Sequence, residues 1–153
     1  MKLLRLGNKG KEKPAIIDTD ENYRDLSSII SDLNPNFLNF ETIEKIKNIN
    51  LSDLPKLETS NRIGACVSKP SKFIGIGLNF SDHAAETGAK PPSEPIIFMK
   101  ATSSINGPND DIQLVSNSKK LDWEVELGII IGKETKHINK ENSQEHILGY
   151  CLV

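Results

Sequence analysis

At 153 residues, 37% hydrophobic and 26% charged, the chain has an ordinary globular composition, long enough for one core or for a small domain and part of another. The formal net charge of -2, with Glu12 beside Lys9, Lys11 and Lys13 and no aromatic ladder among them, excludes a nucleic-acid surface. No apolar run approaches the roughly 20 residues that span a bilayer, and residues 1–6 are too short for a signal peptide.

Residues 1–7 and 13–18 read as two short strands, with turn material at 8–10 and 18–22, which suggests a small meander. In residues 25–33, Leu26, Ile29, Ile30 and Leu33 fall at i, i+3, i+4 and i+7. That is the spacing of one helix face, and Asn34-Pro35 ends it. A second short helix is expected over 41–49, and 51–60, interrupted by Pro55, reads as a linker. A domain boundary falls near 62–67, leaving a small N-terminal α/β domain over 1–65 and a second domain from residue 70 onward.

No period repeats along the chain and no segment is low in complexity. Beyond Pro70 the pattern turns to buried strands at 72–77, 95–100, 111–115 and 120–132, so the fold class is α+β and mostly β. Residues 81–88 form a helical turn with Gly88 as its stop, and Pro91-Pro92 keeps the following loop extended. Cys66 and Cys151 sit in apolar, strand-like segments where a buried free thiol is the default. A reducing, cytoplasmic setting follows, without a disulfide.

The stretch 120–132 carries the most chemistry. Trp123, Val125, Leu127, Ile129 and Ile131 alternate with Asp122, Glu124, Glu126, Gly128 and Ile130, the period-2 pattern of a half-buried strand. Glu124 and Glu126 then share one face with Cα atoms about 6.6 Å apart. Two like charges so placed are kept either by water or by a cation between them. A strand sunk into the protein, with Gly128 leaving room on the same face, favours the cation. Oxygen-only ligands suit Mg²⁺, Mn²⁺ or Ca²⁺ rather than zinc, although two carboxylates do not close a site.

Gly75-Ile76-Gly77 follows a strand, but Phe80 occupies the third-glycine position of a dinucleotide fingerprint and the next helix is one or two turns long, so that reading fails. His83 and Glu86, three apart in a short helix, are either a surface pair or a general base oriented by a carboxylate. His137 and His146 read as surface residues. Lys100 closes the apolar run 96–99 ahead of Thr102, Ser103 and Ser104, either snorkelling at a strand end or offering an ammonium to a substrate carboxylate.

Taken together, Gly75-Ile-Gly-Leu-Asn79-Phe-Ser-Asp-His83-Ala-Ala-Glu86, Pro95-Ile-Ile-Phe-Met-Lys100, Gly107-Pro-Asn-Asp110 and Asp122-Trp-Glu124-Val-Glu126-Leu-Gly128 resemble the fumarylacetoacetate hydrolase family. Within it the pattern is similar to the bacterial branch labelled ureidoglycolate lyase or 2,4-diketo-3-deoxy-L-fuconate hydrolase. The resemblance implies the family's small N-terminal domain over 1–65 and the start of its catalytic β-roll over 70–153. It implies Glu124 and Glu126 as metal carboxylates for Mg²⁺ or Mn²⁺, with Ca²⁺ a further candidate. His83 with Glu86 becomes the water-activating dyad, and Lys100 and Asn79 become substrate-binding residues. The family's third metal carboxylate, an aspartate, directly follows a strand resembling residues 149–153, so the expectation is an N-terminal fragment truncated before that ligand, with an open strand edge at its apolar end.

For the intact protein the resemblance implies hydrolase or lyase action on a small oxo-carboxylate. The cation chelates keto and carboxylate oxygens and stabilises an enolate. Isomerase or decarboxylase action of the same family, an inactive remnant, and a calcium-binding structural domain are the rival expectations. A homodimer is expected by resemblance.

Overall fold

The computed structural model describes residues 1–58 and 61–153. The chain divides into two compact units, one of residues 1–68 with 106–153 and one of residues 69–105. The architecture is α+β and mostly β.

The first unit opens with β1 (Lys2–Leu6), β2 (Lys13–Ile17) and β3 (Tyr23–Asp25), joined later by β4 (Lys56–Leu57) and β5 (Ile63–Gly64). They form an antiparallel sheet in the order β4-β3-β2-β1-β5. Leu3 faces Ile16 and Leu4 faces Ala15 across the β1–β2 pair, so successive residues line opposite faces. Apolar residues clad both faces. Ile16 packs with Leu26, Ile30, Leu33, Ile46 and Leu54 on one side, while Leu4, Leu6 and Ala15 pack with Ile17, Tyr23, Leu57 and Ile63 on the other.

The helix α1 (Phe40–Lys47) packs on the first of these faces through Ile46, and its Thr42 and Ile43 are buried as well. Asn39 caps it, its Oδ1 accepting from the Thr42 amide at 2.9 Å. The side chain of Asn48 closes the far end on the Glu44 carbonyl at 2.8 Å. The outer side carries Glu41–Lys45 and Glu44–Lys47 ion pairs.

Residues 25–33 do not form the expected helix. Leu26, Ile30 and Leu33 are buried and Ile29 packs against them, but the segment is a series of turns with a single i to i+4 bond, from the Ile30 amide to Leu26 O at 3.0 Å. Asp25 belongs to β3, its carboxylate accepts from the Ser27 amide at 2.8 Å, and Asp32 bonds its own neighbour Leu33 and Arg5. Aspartates that bond nearby amides compete with helical bonding. The expected linker 51–60 contains a 3₁₀ turn (Leu51–Asp53) and β4, and its last residues, Thr59 and Ser60, lie outside the described ones.

A chain of charges stitches this unit together. Asp32 receives Arg5 Nε at 2.6 Å, Arg5 also reaches Glu12 at 3.1 Å, and Glu12 receives Arg62 at 2.9 Å. Arg62 in turn grips both oxygens of Asp110. Gly107 sits inside this clamp, where an added Cβ would lie 2.6 Å from the Ile63 carbonyl oxygen.

The end of the first unit is a hairpin of β8 (Leu127–Ile131) and β9 (Ile147–Leu152), with an irregularity between Ile130 and Ile131. Glu126 and Val153 extend the ladder by exchanging bonds of 2.8 and 3.0 Å. The strand expected from residue 120 therefore begins six residues late, and 111–115 is not a strand. Alternation supplies a face, but a strand also needs a neighbour for its amides and carbonyls. Trp123, expected to be sunk into the protein, is 81% exposed. Cys66 and Cys151 are half-buried, free thiols, and Cys66 lies in a bend.

In the second unit, β6 (Ile74–Gly77) pairs antiparallel with β7 (Ile96–Met99), placing Gly75 opposite Phe98, whose ring occupies the space a side chain would need. Between them lies α2 (Ser81–Glu86), anchored by buried Ala84 and stopped at Gly88, whose φ is +67°. Among the described residues no helix is long and apolar enough to cross a membrane.

Candidate active site

The turn from β6 into α2 puts Leu78 in the left-handed region, φ +50°. A branched aliphatic residue takes that conformation at a cost of order 1–3 kcal/mol, and such strain concentrates where a fold must present particular groups. What the turn presents is Asn79, exposed directly after it, and then α2 with His83 and Glu86. Both side chains are exposed, three residues apart on a helix whose inward residue is Ala84. Among the described residues no hydrogen bond or ion pair joins them.

Lys100 lies at the end of β7, its amide donating to Phe73 O at 2.8 Å. Its Nζ stands 6.0 and 5.9 Å from the ring centroids of Phe73 and Phe98. At that range two aromatic faces hold the ammonium loosely by cation–π attraction. Among the described residues no carboxylate pairs with it, which leaves its charge for an anion. The two rings escaped sequence reading, because a strand alternation does not say which cation a ring will meet.

In the first unit, Glu126 is half-buried at the paired end of the hairpin, and Glu124 is exposed two residues earlier. The space at Gly128, expected to receive a ligand, is taken up by its neighbours: an added Cβ would meet Cys151 Sγ at 2.7 Å and Val153 at 2.8 Å. That glycine serves strand packing. Two carboxylates are donors of the right kind for a hard divalent cation but fill only part of a six-fold oxygen shell. Among the described residues no third His, Cys, Asp or Glu completes such a group.

Burial first, and neighbouring Cys151 second, push the Cys66 thiol up to about 11. It stays protonated at neutral pH and is no nucleophile. His137 is exposed, and half-buried His146 engages Thr135 through Nδ1 at 2.7 Å. The chemistry-bearing groups are thus the dyad positions, Asn79 and Lys100 in one unit and the glutamate pair in the other.

Comparison with known proteins is consistent across sequence and structure. The family described as fumarylacetoacetate (FAA) hydrolase C-terminal matches residues 72–153. A protein of Burkholderia ambifaria (strain MC40-6), provisionally named a hydrolase, is 48% identical over the whole chain, which covers 54% of that relative. Among solved structures, the fumarylacetoacetate hydrolase of psychrophilic Exiguobacterium antarcticum superimposes with a TM-score of 0.80 at 29% identity, over 99% of this chain and 54% of that one. A provisionally assigned HpcE protein from Mycobacterium smegmatis gives 0.81 at 27% identity, over 99% and 53%. The chain spans about half the length of the curated relatives it matches.

Proposed function

We propose, from the premise that this chain belongs to the fumarylacetoacetate hydrolase family, that it supplies the water-activating dyad and two of the cation-holding carboxylates of a hydrolase acting on a small oxo-carboxylate. The observation that carries the reading is the strained Leu78 turn, which delivers Asn79, His83 and Glu86 together inside the matched segment. In this reading His83 removes a proton from water, and Glu86, swung onto the imidazole, fixes its tautomer and raises its basicity. Lys100 receives the substrate carboxylate, its ammonium already turned over Phe73 and Phe98. Asn79 offers an amide to a second substrate oxygen.

Glu124 and Glu126 would hold Mg²⁺ or Mn²⁺ together with a carboxylate from outside the described residues. The bound ion's contribution is Lewis acidity toward substrate oxygens. The finer form of the proposal is carbon–carbon hydrolysis of a 2,4-diketo acid or cleavage of a ureidoglycolate-type acid, supported by the resemblance of the spaced motifs to that branch. A reducing, cytoplasmic setting and a homodimer of the complete protein belong to the same proposal, the first supported by two free thiols.

The test is turnover of a small diketo acid in Mg²⁺ or Mn²⁺ by the chain completed with the remainder of its relatives' length. His83→Ala should lower kcat by about 10²–10⁴-fold. Glu124→Ala with Glu126→Ala should abolish Mn²⁺ binding followed by electron paramagnetic resonance. Turnover indifferent to His83→Ala, or ion binding indifferent to the double substitution, overturns the proposal.

A further inference from the structure

At the edge of the second buried cluster of the first sheet lies a cleft that the chemistry above does not use. Among the described residues Leu6, Gly7, Lys11, Lys13, Leu57 and Asn61 line it, around a volume of about 270 Å³. Leu6 and Leu57 belong to the apolar cluster on that face and give the cleft an apolar floor. Its polar groups are side chains. Lys13 Nζ donates to Asp25 at 3.0 Å and keeps two further protons. Lys11 is exposed in the β1–β2 connection and has no carboxylate partner among the described residues. Asn61 spends one Nδ2 proton on the Glu58 carbonyl at 3.0 Å and keeps the other. The neighbouring backbone amides are taken, Gly7 donating to Arg62 O at 2.8 Å and Lys11 to Asn8 O at 2.9 Å.

We infer that this cleft binds a short-chain aliphatic monocarboxylate, its carboxylate on Lys11 with Lys13 and Asn61 beside it and its chain laid over Leu6 and Leu57. Charge argues for an anion. Glu12 stands between the two lysines in sequence, yet it does not line the cleft, because its carboxylate is turned into Arg5 and Arg62 and is 5% exposed. Asp25 is already engaged by Lys13 and the Ser27 amide. The Lys11 ammonium is therefore left uncompensated beside a lysine that is only partly compensated. The apolar floor argues for a carbon chain on that anion, since a few placed polar groups over an apolar lining are what small-molecule sites present. The volume lies just below the roughly 300–1,000 Å³ of drug-sized sites, which keeps the chain short. Inorganic phosphate would have nothing to lay on the leucines. It would also lack an arginine fork, because the Arg62 guanidinium is committed to Glu12 and Asp110. None of the six lining residues belongs to the candidate active site, so the inference stands apart from the catalytic reading.

The test is a titration of sodium pentanoate into the ¹⁵N-labelled chain at neutral pH and constant ionic strength, followed through backbone amide resonances and the side-chain amide of Asn61. Saturable shifts centred on the lining residues are expected. Lys11→Met should raise the Kd about ten-fold, the loss of one charge-assisted contact, and Lys11→Arg should restore it. Lys9 bonds Asn106 at 3.2 Å and does not line the cleft, so Lys9→Met should leave the Kd unchanged. Circular dichroism identical to that of the native chain checks that each variant folds. Shifts that grow without saturating overturn the inference, as does a Lys11→Met chain that binds as tightly as the native one. Saturation of the same resonances by 1-pentanol or by inorganic phosphate at the same concentrations also overturns it, because the cleft would then read the chain alone or the charge alone.

Discussion

The carboxyl of Asp110 is held down to about 2 by the Arg62 guanidinium first and the Gly107 amide second. A carboxyl whose value falls on folding, here from 3.8, stabilises the native state fully above the unfolded value and loses that contribution as pH drops through the folded one. The window is thus about pH 4 to pH 2. Urea midpoints across that range should fall more steeply for the native chain than for Asp110→Asn, and the gap between them should close toward pH 2. A gap as wide at pH 2 as at pH 7 would show that the Arg62–Asp110 clamp is not what titrates. Asp18 behaves alike: burial pulls its carboxyl up, but Arg24 and Asn22 outweigh it and leave it at about 2. The variant's difference, rather than the absolute acid sensitivity, therefore isolates Asp110. None of this network was legible in the sequence. Arg5, Glu12, Asp32, Arg62 and Asp110 are scattered over more than a hundred positions with no periodicity linking them, and only the folded sheet brings them within reach.

Elements divide by how local their causes are. The strands β1, β2, β6 and β7 were legible because composition and flanking turns act within a few residues, and α1 was legible for the same reason. Its cap gives a measurable consequence: Asn39→Ala should cost about 0.5–2 kcal/mol, read from the denaturation midpoint, because the Thr42 amide loses its 2.9 Å acceptor. A change within error would mean that water replaces the cap freely. In residues 25–33 the buried set was read correctly and the element was not, since a run of turns can set Leu26, Ile30 and Leu33 inward as well as a helix does. For 111–115 and 120–125 the alternation was real, but the partner a strand needs is absent among the described residues. The candidate dyad's helix was foreseeable from Ser81 to Gly88. The left-handed Leu78 ahead of it was not, because a leucine carries no signal for positive φ.

Across the molecule, burial is uneven. The two buried clusters draw on β1 to β5, α1 and the turns between them. The β6–β7 pair and the β8–β9 pair are two-stranded sheets rich in exposed Ile, Leu, Phe and Met, and a lone two-stranded ribbon is marginal in water. Amide exchange on the isolated chain should therefore show β1, β2 and α1 protected up to the global unfolding energy, and β6–β9 exchanging through local opening. Uniform protection would mean that the ribbons are covered by something the chain itself provides, such as a second copy.

The two-sided cladding of the first sheet also bears on how the protein is made. Among the described residues every member of both buried clusters lies between Leu3 and Ile63, so a nascent chain holds those two clusters well before Trp123 leaves the ribosome. Domains made first tend to close first. Synthesis from the amino end thus lets a finished foundation wait while the adhesive ribbons emerge one after another, which shortens the time they spend bare and limits their chance of sticking to the wrong neighbour.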